Sequence, residues 1–313
     1  MTARATVRPK IAILLCTHNG EDFLEEQLES YEAQTWDDWI LIASDDNSTD
    51  RTREILARYQ QRWGEHKLTI ICGPARGYAA NFAWVTHYAR GLADYYAWSD
   101  QDDIWYPDKL ERALQLMSEI PDDVPGLYCG RTLLVSTDNQ EITLTMLATK
   151  PPCFANALIQ NIGGGNTMVF NQAACNLLAE TTREIQLISH DWWAYMIVTG
   201  CGGRVVYDPT PGVRYRQHDG NLIGENLSLP ARLFRIRQLF KGRFRQWNAV
   251  HVQALLIHRD RLTKENRRIF DLFAKTRECW VPANLLLLRR SRVHRQTRMS
   301  TLGLYLAALF RKI

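Results

Sequence analysis

Apolar and polar positions alternate in a regular cycle over the first hundred residues. The runs "IAILLC" (11–16), "WILIAS" (39–44), "LTIIC" (68–72) and "YYAWS" (95–99) are short and rich in β-branched and aromatic side chains, as buried strands are. Between them lie helix-length amphipathic stretches, "EDFLEEQLESYEAQ", "STDRTREILARYQQRW" and "YAANFAWVTHYAR". Strand-sized runs separated by amphipathic helices predict βαβ units, a parallel sheet covered on both faces, and an α/β fold class. In such sheets the loops leaving the carboxyl ends of the strands form the ligand crevice. Here those loops read "THNGED", "DDNSTD", "GPARG" and "DQDD"; all are polar and three are acidic.

Beyond residue 105 the cycle breaks. "PDKLERALQLMSEI" predicts a helix with Pro107 in its first turn, "GLYCGRTLLVS" a strand, and "PPCFANALIQN" a short helix. "GGGNTMVFN" reads as a glycine loop entering a strand and "QAACNLLAE" as a helix. "SHDWWAYMIVTG" predicts a helix with Ser189 or Asp191 near its N-terminus, followed by a strand at "GGRVVYDP" and a strand or loop at "GVRYRQHDGN". From about Leu229 the pattern is helical and Arg-rich, without strand signals.

Composition adds a division of charge. Of 38 Lys and Arg, 20 follow Ser228, against only 4 of the 34 Asp and Glu, so an acidic main part and a basic tail are expected to meet different partners. With 313 residues, 46% of them hydrophobic, the chain has room for one sizeable core and an appendage. No window approaches the roughly 20 apolar residues that span a bilayer, and the N-terminus lacks the three regions of a signal peptide, so a cytoplasmic location is expected. Seven scattered cysteines without a CxxC pair read as reduced core thiols.

The candidate chemistry begins at "SDQDDIWYPDKL". Asp100, Asp102 and Asp103 crowd into four positions, and carboxylates that close need a cation, a shared proton or full exposure. Mg²⁺ or Mn²⁺ fits, because such ions bind through one or two carboxylates plus substrate phosphates. Asp103 is open between a supporting group and a helix cap. In "SDDNSTD", capping by Ser48 or Asp50 explains half of the loop but not the pair Asp45 and Asp46, which suits a base edge or a ribose. Gly164 and Gly165 in "GGGNTMVF" permit close backbone approach, and Asn166 and Thr167 offer hydrogen bonds, as a ligand-binding floor or a tight turn into a strand would need. Asp191 stands at a helix start beside Trp192 and Trp193, where a cap before two core tryptophans is the plain reading. Desolvation would raise its pKa and the helix N-terminus lower it. No glycine-rich dinucleotide fingerprint and no "GxxxxGK" occurs, which disfavours hydride transfer and P-loop phosphotransfer. In the tail, "LPARLFRIRQLFKGRFRQW" interleaves Arg with apolar residues, and Leu302, Tyr305, Leu306, Leu309 and Phe310 fall on one helical face flanked by cations. That pattern fits an interfacial helix on anionic lipid better than nucleic acid, for which no module is visible; packing on the core or on a second subunit is the plain alternative.

Taken in order, "CTHNGEDFLEEQLES", "SDDNSTDRT", "GPARGYAANF", "SDQDDIWYPDKL", "GGNTMVFN", "HDWW" and "YRQHDGN" resemble the family 2 glycosyltransferases, especially their bacterial rhamnosyltransferase-like branch, over residues 9 to 225. The resemblance implies a nucleotide-binding α/β domain of the glycosyltransferase A type. It would span 1–225, with a nucleotide-sugar half at about 9–105 and a mixed acceptor half at 106–225, and a basic helical extension at 226–313 would follow. It implies inverting transfer from a nucleoside-diphosphate sugar of dTDP or UDP type, with rhamnose as the branch suggests. The acceptor would be a hydroxyl of a cell-surface glycan or lipid-linked acceptor such as O-antigen, lipopolysaccharide core or capsule. Such an enzyme would sit peripherally on the inner face of the cytoplasmic membrane, and it could be oligomeric. Carried over by residue, Thr17, Asn19 and Glu21 lie by the nucleotide, Asp45 contacts the base with Asp46 beside it, and Arg76 approaches the donor. Asp100 lies near the ribose, Asp102 and His218 serve the metal or diphosphate, and Asp191 is the base, with Trp192 and Trp193 as aromatic walls that exclude water and stack on sugar and with Gly165, Asn166 and Thr167 as the acceptor floor. Two departures stand out: His190 occupies a position where many relatives have Glu, and the Q-x-x-R-W motif of processive synthases is missing, which favours addition of one sugar. Rival readings are a sugar nucleotidyltransferase, which needs a glycine- and Lys/Arg-rich loop where this chain has "THNGED", and a carbohydrate-binding protein without catalysis.

Overall fold

The four predicted runs form the parallel strands β1 (Ile11–Thr17), β2 (Trp39–Asp45), β3 (Leu68–Cys72) and β4 (Tyr95–Ser99), in the order β3-β2-β1-β4. The computed structural model describes residues 8–182, 185–218 and 243–313. Every residue of β1 is buried, which is why its sequence is a continuous apolar run rather than an alternating one. Helices α1 (Leu24–Glu32), α2 (Thr52–Trp63) and α3 (Tyr78–Ala89) make the crossovers. Their parallel register brings Thr17 level with Asp45, so the polar loops open at one edge of the sheet.

Past β4 the sheet becomes mixed. Strand β8 (Val169–Asn171) runs antiparallel to β4, β6 (Gly126–Val135) antiparallel to β8, and β9 (Arg204–Arg216) parallel to β6. The two-residue strand β5 (Ile104–Trp105) pairs with β9, and β7 (Glu141–Leu144) pairs with β6. Residues on both sides of position 105 therefore share one sheet. Three sequence expectations are corrected here. "RVVYDPTPGVRYR" is a single 13-residue strand, because pairing with β6 carries it past both prolines with only a register shift. Strands β5 and β7 were not anticipated, being too short or too exposed to leave a periodic signal. Helix α4 (Lys109–Met117) begins two residues after Pro107.

Helices α5 (Phe154–Ala157), α6 (Gln172–Thr181) and α7 (His190–Gly200) cover one face of the sheet. The C-terminal helices α8 (Arg243–Ile257), α9 (Lys264–Glu278), α10 (Ala283–Arg290) and α11 (Arg298–Leu309) add Leu255, Phe270, Phe273, Leu288 and Ala308 to that same apolar cluster. A second cluster, with Leu28, Tyr31, Leu56 and Leu110, fills the opposite face. The boundary expected at 225/226 and most of "LPARLFRIRQLFKGRFRQW" lie outside the described residues. Phe270 and Phe273 are buried at 0% and 1% exposure, so Phe270→Ala is expected to lower unfolding free energy by about 3–5 kcal/mol. Urea denaturation checks this; a loss under about 1 kcal/mol would mean the extension packs only loosely.

Candidate active site

The site grows from the carboxyl ends of β1, β2 and β4. Asp45 ends β2 at 2% exposure and already accepts four hydrogen bonds. Ser48 N (3.1 Å) and Arg53 Nε (2.6 Å) donate to one oxygen, Thr17 Oγ1 (3.1 Å) and Ser48 Oγ (2.5 Å) to the other. Burial raises its pKa, but the bonds from Ser48, Arg53 and Thr17 outweigh that and hold the carboxyl below its usual range. Four donors thus converge on this carboxylate, which fastens the loop that opens α2, and the Thr17 hydroxyl is one of them. Asp46 accepts from Ala75 N (2.5 Å) and Gly77 N (3.0 Å), which holds the loop bearing exposed Arg76. A Cβ on Gly73 would come within 2.7 Å of that carboxylate, so the tight approach requires glycine there.

The first loop is knitted to the second. Asn19, at φ 49°, receives Thr49 N on its amide oxygen (2.8 Å) and donates its own backbone N–H to Ser48 Oγ (2.9 Å). Glu21 accepts from Arg51 N (3.1 Å), and Asp50 accepts from Glu21 N (3.0 Å) and Thr52 N (3.0 Å). Gln101, which the sequence reading did not single out, clamps His18 through its N–H and C=O at 2.8 and 3.0 Å. The loops after β1, β2 and β4 are thus fixed to one another.

Behind β4 stands the acid cluster. Asp100 is pushed up to about 8, first by burial and then by the neighbouring carboxylates Asp102 and Asp191. Asp103, at 0% exposure, accepts from Asn166 Nδ2 (2.6 Å) and Arg216 N (3.3 Å) and is driven toward its neutral form mainly by burial. It does not cap α4; it ties the glycine loop to β9. Lys109 lies beneath at 1% exposure with its ammonium 3.2 Å from the centre of the Trp105 ring, and burial lowers its pKa against the pull of Asp103 and Asp100. Asp102 Oδ2 meets His218 Nε2 at 2.8 Å. Arg216, buried and reaching Glu26 Oε2 (2.6 Å), sets the end of β9 that delivers His218. The rest of "YRQHDGN" lies outside the described residues.

Asp191 sits in the first turn of α7, where unpaired backbone N–H groups favour a carboxylate. Its Oδ1 accepts from Trp192 N (2.7 Å) and its Oδ2 from Asn161 Nδ2 (2.9 Å), leaving each oxygen a free lone pair. Ser189 is the cap residue but makes no side-chain capping bond. Tyr215, the first residue of the "YRQHDGN" motif, was given no role of its own by sequence reasoning; burial and then Asp100, Asp103, Asp102 and Asp191 raise its phenol pKa. Asn161 carries no sequence signal, since it takes its place from the fold.

The acceptor-side expectations need correction. Trp192 (7% exposed) donates to Ala157 O at 2.7 Å and packs edge-on to His251, and Trp193 (1%) donates to Thr181 Oγ1 at 3.1 Å. Both indoles point into the core because α7 is apolar nearly all round, so neither offers a face to a sugar. Gly165, Asn166 and Thr167 form a buried 3₁₀ turn. Thr167 Oγ1 is engaged by Gly164 O (2.8 Å) and Gly130 N (3.2 Å), and Asn166 by Asp103, so this loop supports the acids rather than lining an open floor.

Among the described residues, no three His, Cys, Asp or Glu side chains converge to hold an ion unaided. The donor set nevertheless fits a divalent cation that substrate phosphates help to bind: hard oxygen ligands at Asp100 and Asp102, the first pushed toward neutrality by burial and then by Asp102 and Asp191, and the His218 imidazole.

His190 fills the position next to Asp191 as a core group. It stacks on Phe82 at 3.8 Å, neither ring nitrogen has a partner, and burial lowers its pKa to about 4. His251 behaves alike, also at about 4. Between pH 6.5 and 4 the unfolded chain binds protons at these rings that the folded chain excludes. Stability present above pH 6.5 is therefore lost on acidification, by up to about 3 kcal/mol per ring. His251→Leu is expected to lose less stability than wild type between pH 7 and 5. Asp100, which shifts in the opposite sense, is common to both proteins, so equal losses would contradict the assignment.

No described helix is long and apolar enough to cross a membrane. The model of the glycosyl transferase family 2 matches residues 12–174, just over half of the 313. The dTDP-rhamnosyl transferase RfbG of Shigella flexneri is 28% identical over 233 residues, which cover 71% of this chain and 78% of RfbG. The putative teichuronic acid biosynthesis glycosyltransferase TuaG of Bacillus subtilis is 31% identical over 112 residues, 36% of this chain and 43% of TuaG. Among solved structures, S. aureus TarS 1-349 in complex with UDP-GlcNAc superposes with a TM-score of 0.53 at 14% identity, covering 90% of each chain. GalNAc-T7 with UDP, GalNAc and Mn²⁺ superposes at 0.57 and 12% identity, covering 91% of this chain and 55% of that one. The likeness to these structures gives the glycosyltransferase A fold, and by the match over its sheet and acidic loops the chain belongs to glycosyl transferase family 2.

Proposed function

We propose that this glycosyltransferase moves one sugar, with inversion, from a nucleoside-diphosphate sugar to a hydroxyl of a bacterial cell-surface glycan or lipid-linked acceptor such as O-antigen, lipopolysaccharide core or capsule. Rhamnose from dTDP-rhamnose is the proposed donor, a reading supported by the likeness to RfbG along most of the chain. The carrying observation is Asp191, a carboxylate with free lone pairs oriented by Asn161 and set close enough to Asp100 to raise its pKa. Asp191 takes the proton of the acceptor hydroxyl as that oxygen bonds to the anomeric carbon; the bond from that carbon to the diphosphate breaks, and its electron pair leaves with the nucleoside diphosphate. A bound Mg²⁺ or Mn²⁺ supplies positive charge opposite the departing diphosphate, and Asp102 and His218 are the residues that would hold it, with Asp100 beside them. Arg76 and Asn19, both exposed, are the residues proposed to meet the donor, while Asp46 and Glu21 fix the loops that carry them. We place the enzyme peripherally at the inner face of the cytoplasmic membrane, where a lipid-linked acceptor is extended.

Thermal shift with dTDP-rhamnose, UDP-GlcNAc and GDP-mannose, each with Mg²⁺ or Mn²⁺, tests the donor assignment, since a ligand at 100 times its Kd stabilises the native state by about 2.7 kcal/mol. The expected result is a rise in Tm of several degrees with dTDP-rhamnose that needs the metal. A larger rise with another nucleotide sugar would reassign the donor, and no rise with any would overturn the reading.

A further inference from the structure

The last helix has two apolar faces. Leu304, Ala307 and Ala308 of α11 are buried in the core, and Asn284 Nδ2 of α10 donates to Ala308 O at 2.8 Å, so this face is fully used. Met299, Leu302, Leu306 and Leu309 follow one another at helical spacing along the opposite side, and they are 76%, 54%, 50% and 41% exposed. A helix that only closes a core carries polar residues on that side. The stripe is not isolated. Trp280, 71% exposed, lies under the guanidinium of Arg311 at 4.0 Å, which joins the start of α10 to the end of α11, and Leu286 is exposed on α10 itself.

Charge selects the occupant. Residues 279–313 hold seven Lys and Arg and no Asp or Glu, and Arg289, Arg290, Arg292 and Arg298 are exposed around the stripe. A symmetric contact with a second copy would bring two such carboxylate-free surfaces together, like charge against like. Nucleic acid would satisfy the arginines but not four exposed aliphatic and thioether side chains in a row. An anionic bilayer meets both demands, taking apolar side chains at the boundary of headgroups and acyl chains while phosphates pair with the guanidinium groups. We propose that the surface formed by Trp280, Leu286 and the Met299-Leu302-Leu306-Leu309 stripe docks this protein on anionic lipid. The proposal specifies the contact surface of the membrane placement above and does not rest on sugar transfer, which a soluble acceptor would still report.

Co-sedimentation of the full chain with vesicles tests it, using phosphatidylcholine alone and phosphatidylcholine with one third phosphatidylglycerol. The expected result is about tenfold more pelleting with the anionic vesicles, reduced severalfold by high salt. Leu302→Ser with Leu306→Ser should lose about tenfold of that binding with Tm and donor binding unchanged, because neither side chain is in the core. Arg289→Glu with Arg290→Glu should lose the preference for anionic lipid. Equal pelleting of wild type with both vesicles, pelleting with neither, or wild-type pelleting of the serine variant would overturn the proposal. So would a dimer in sedimentation velocity that the serine substitutions dissolve without changing vesicle binding.

Discussion

Asp191→Asn is expected to abolish transfer, lowering kcat by about 10²–10⁴-fold or more, while donor affinity stays within about twofold of wild type. The amide matches the carboxylate in size, but its single oxygen keeps only one of the two bonds that Asp191 accepts, from Asn161 or from Trp192 N, so a loss of about 1 kcal/mol at the first turn of α7 is expected beside the catalytic effect. What is lost is a group able to take the acceptor proton. The separation of effects is the point: a residue that merely capped the helix would alter stability and leave turnover intact. Measured kcat with donor binding by calorimetry checks both halves. Full activity in this variant would remove Asp191 as the base, and loss of donor binding would make it a structural or donor-side group.

Asp102→Ala is expected to act on the other half of the reaction. Donor binding in Mn²⁺ should weaken by at least about tenfold, while in chelator the variant should bind donor no more weakly than chelated wild type, because neither then holds the metal and the variant has one negative charge fewer beside the diphosphate. His218→Ala should move in the same direction through the 2.8 Å partnership. Burial and the carboxylates Asp102 and Asp191 push Asp100 up to about 8, and removing Asp102 lowers that pressure. Asp102→Ala is therefore not expected to unfold the loop. Calorimetric titration of donor with and without Mn²⁺ decides the matter; an unchanged Mn²⁺ dependence would contradict the metal assignment.

The acidic loops were legible because spacing alone places "DDNSTD" and "DQDD" after apolar runs that become β2 and β4. Roles within the loops were less so. The pair Asp45 and Asp46 reads as two ligand-facing acids, yet one is filled by Ser48, Arg53 and Thr17 and the other by two backbone amides. Sequence cannot count how many donors the fold will bring to a carboxylate. The same limit misread Trp192 and Trp193: their neighbourhood to Asp191 in sequence is real, but α7 turns each indole into the core within one turn. Asn161 reaches Asp191 from the loop after α5, over a separation no local pattern records, whereas Tyr215 comes with the "YRQHDGN" end of β9. In the tail, periodicity found an apolar face on α11 but mixed its two sides; Tyr305 leans on the core while Leu302, Leu306 and Leu309 face outward.

The most direct test of the central claim is release of nucleoside diphosphate from dTDP-rhamnose by the purified full chain, with and without Mn²⁺. The account predicts turnover in wild type that is lost in Asp191→Asn and strongly reduced in Asp102→Ala, with donor still bound by the first variant. Metal-dependent binding of donor without release of nucleoside diphosphate, in the presence of any glycan acceptor, would contradict it and leave a carbohydrate-binding protein.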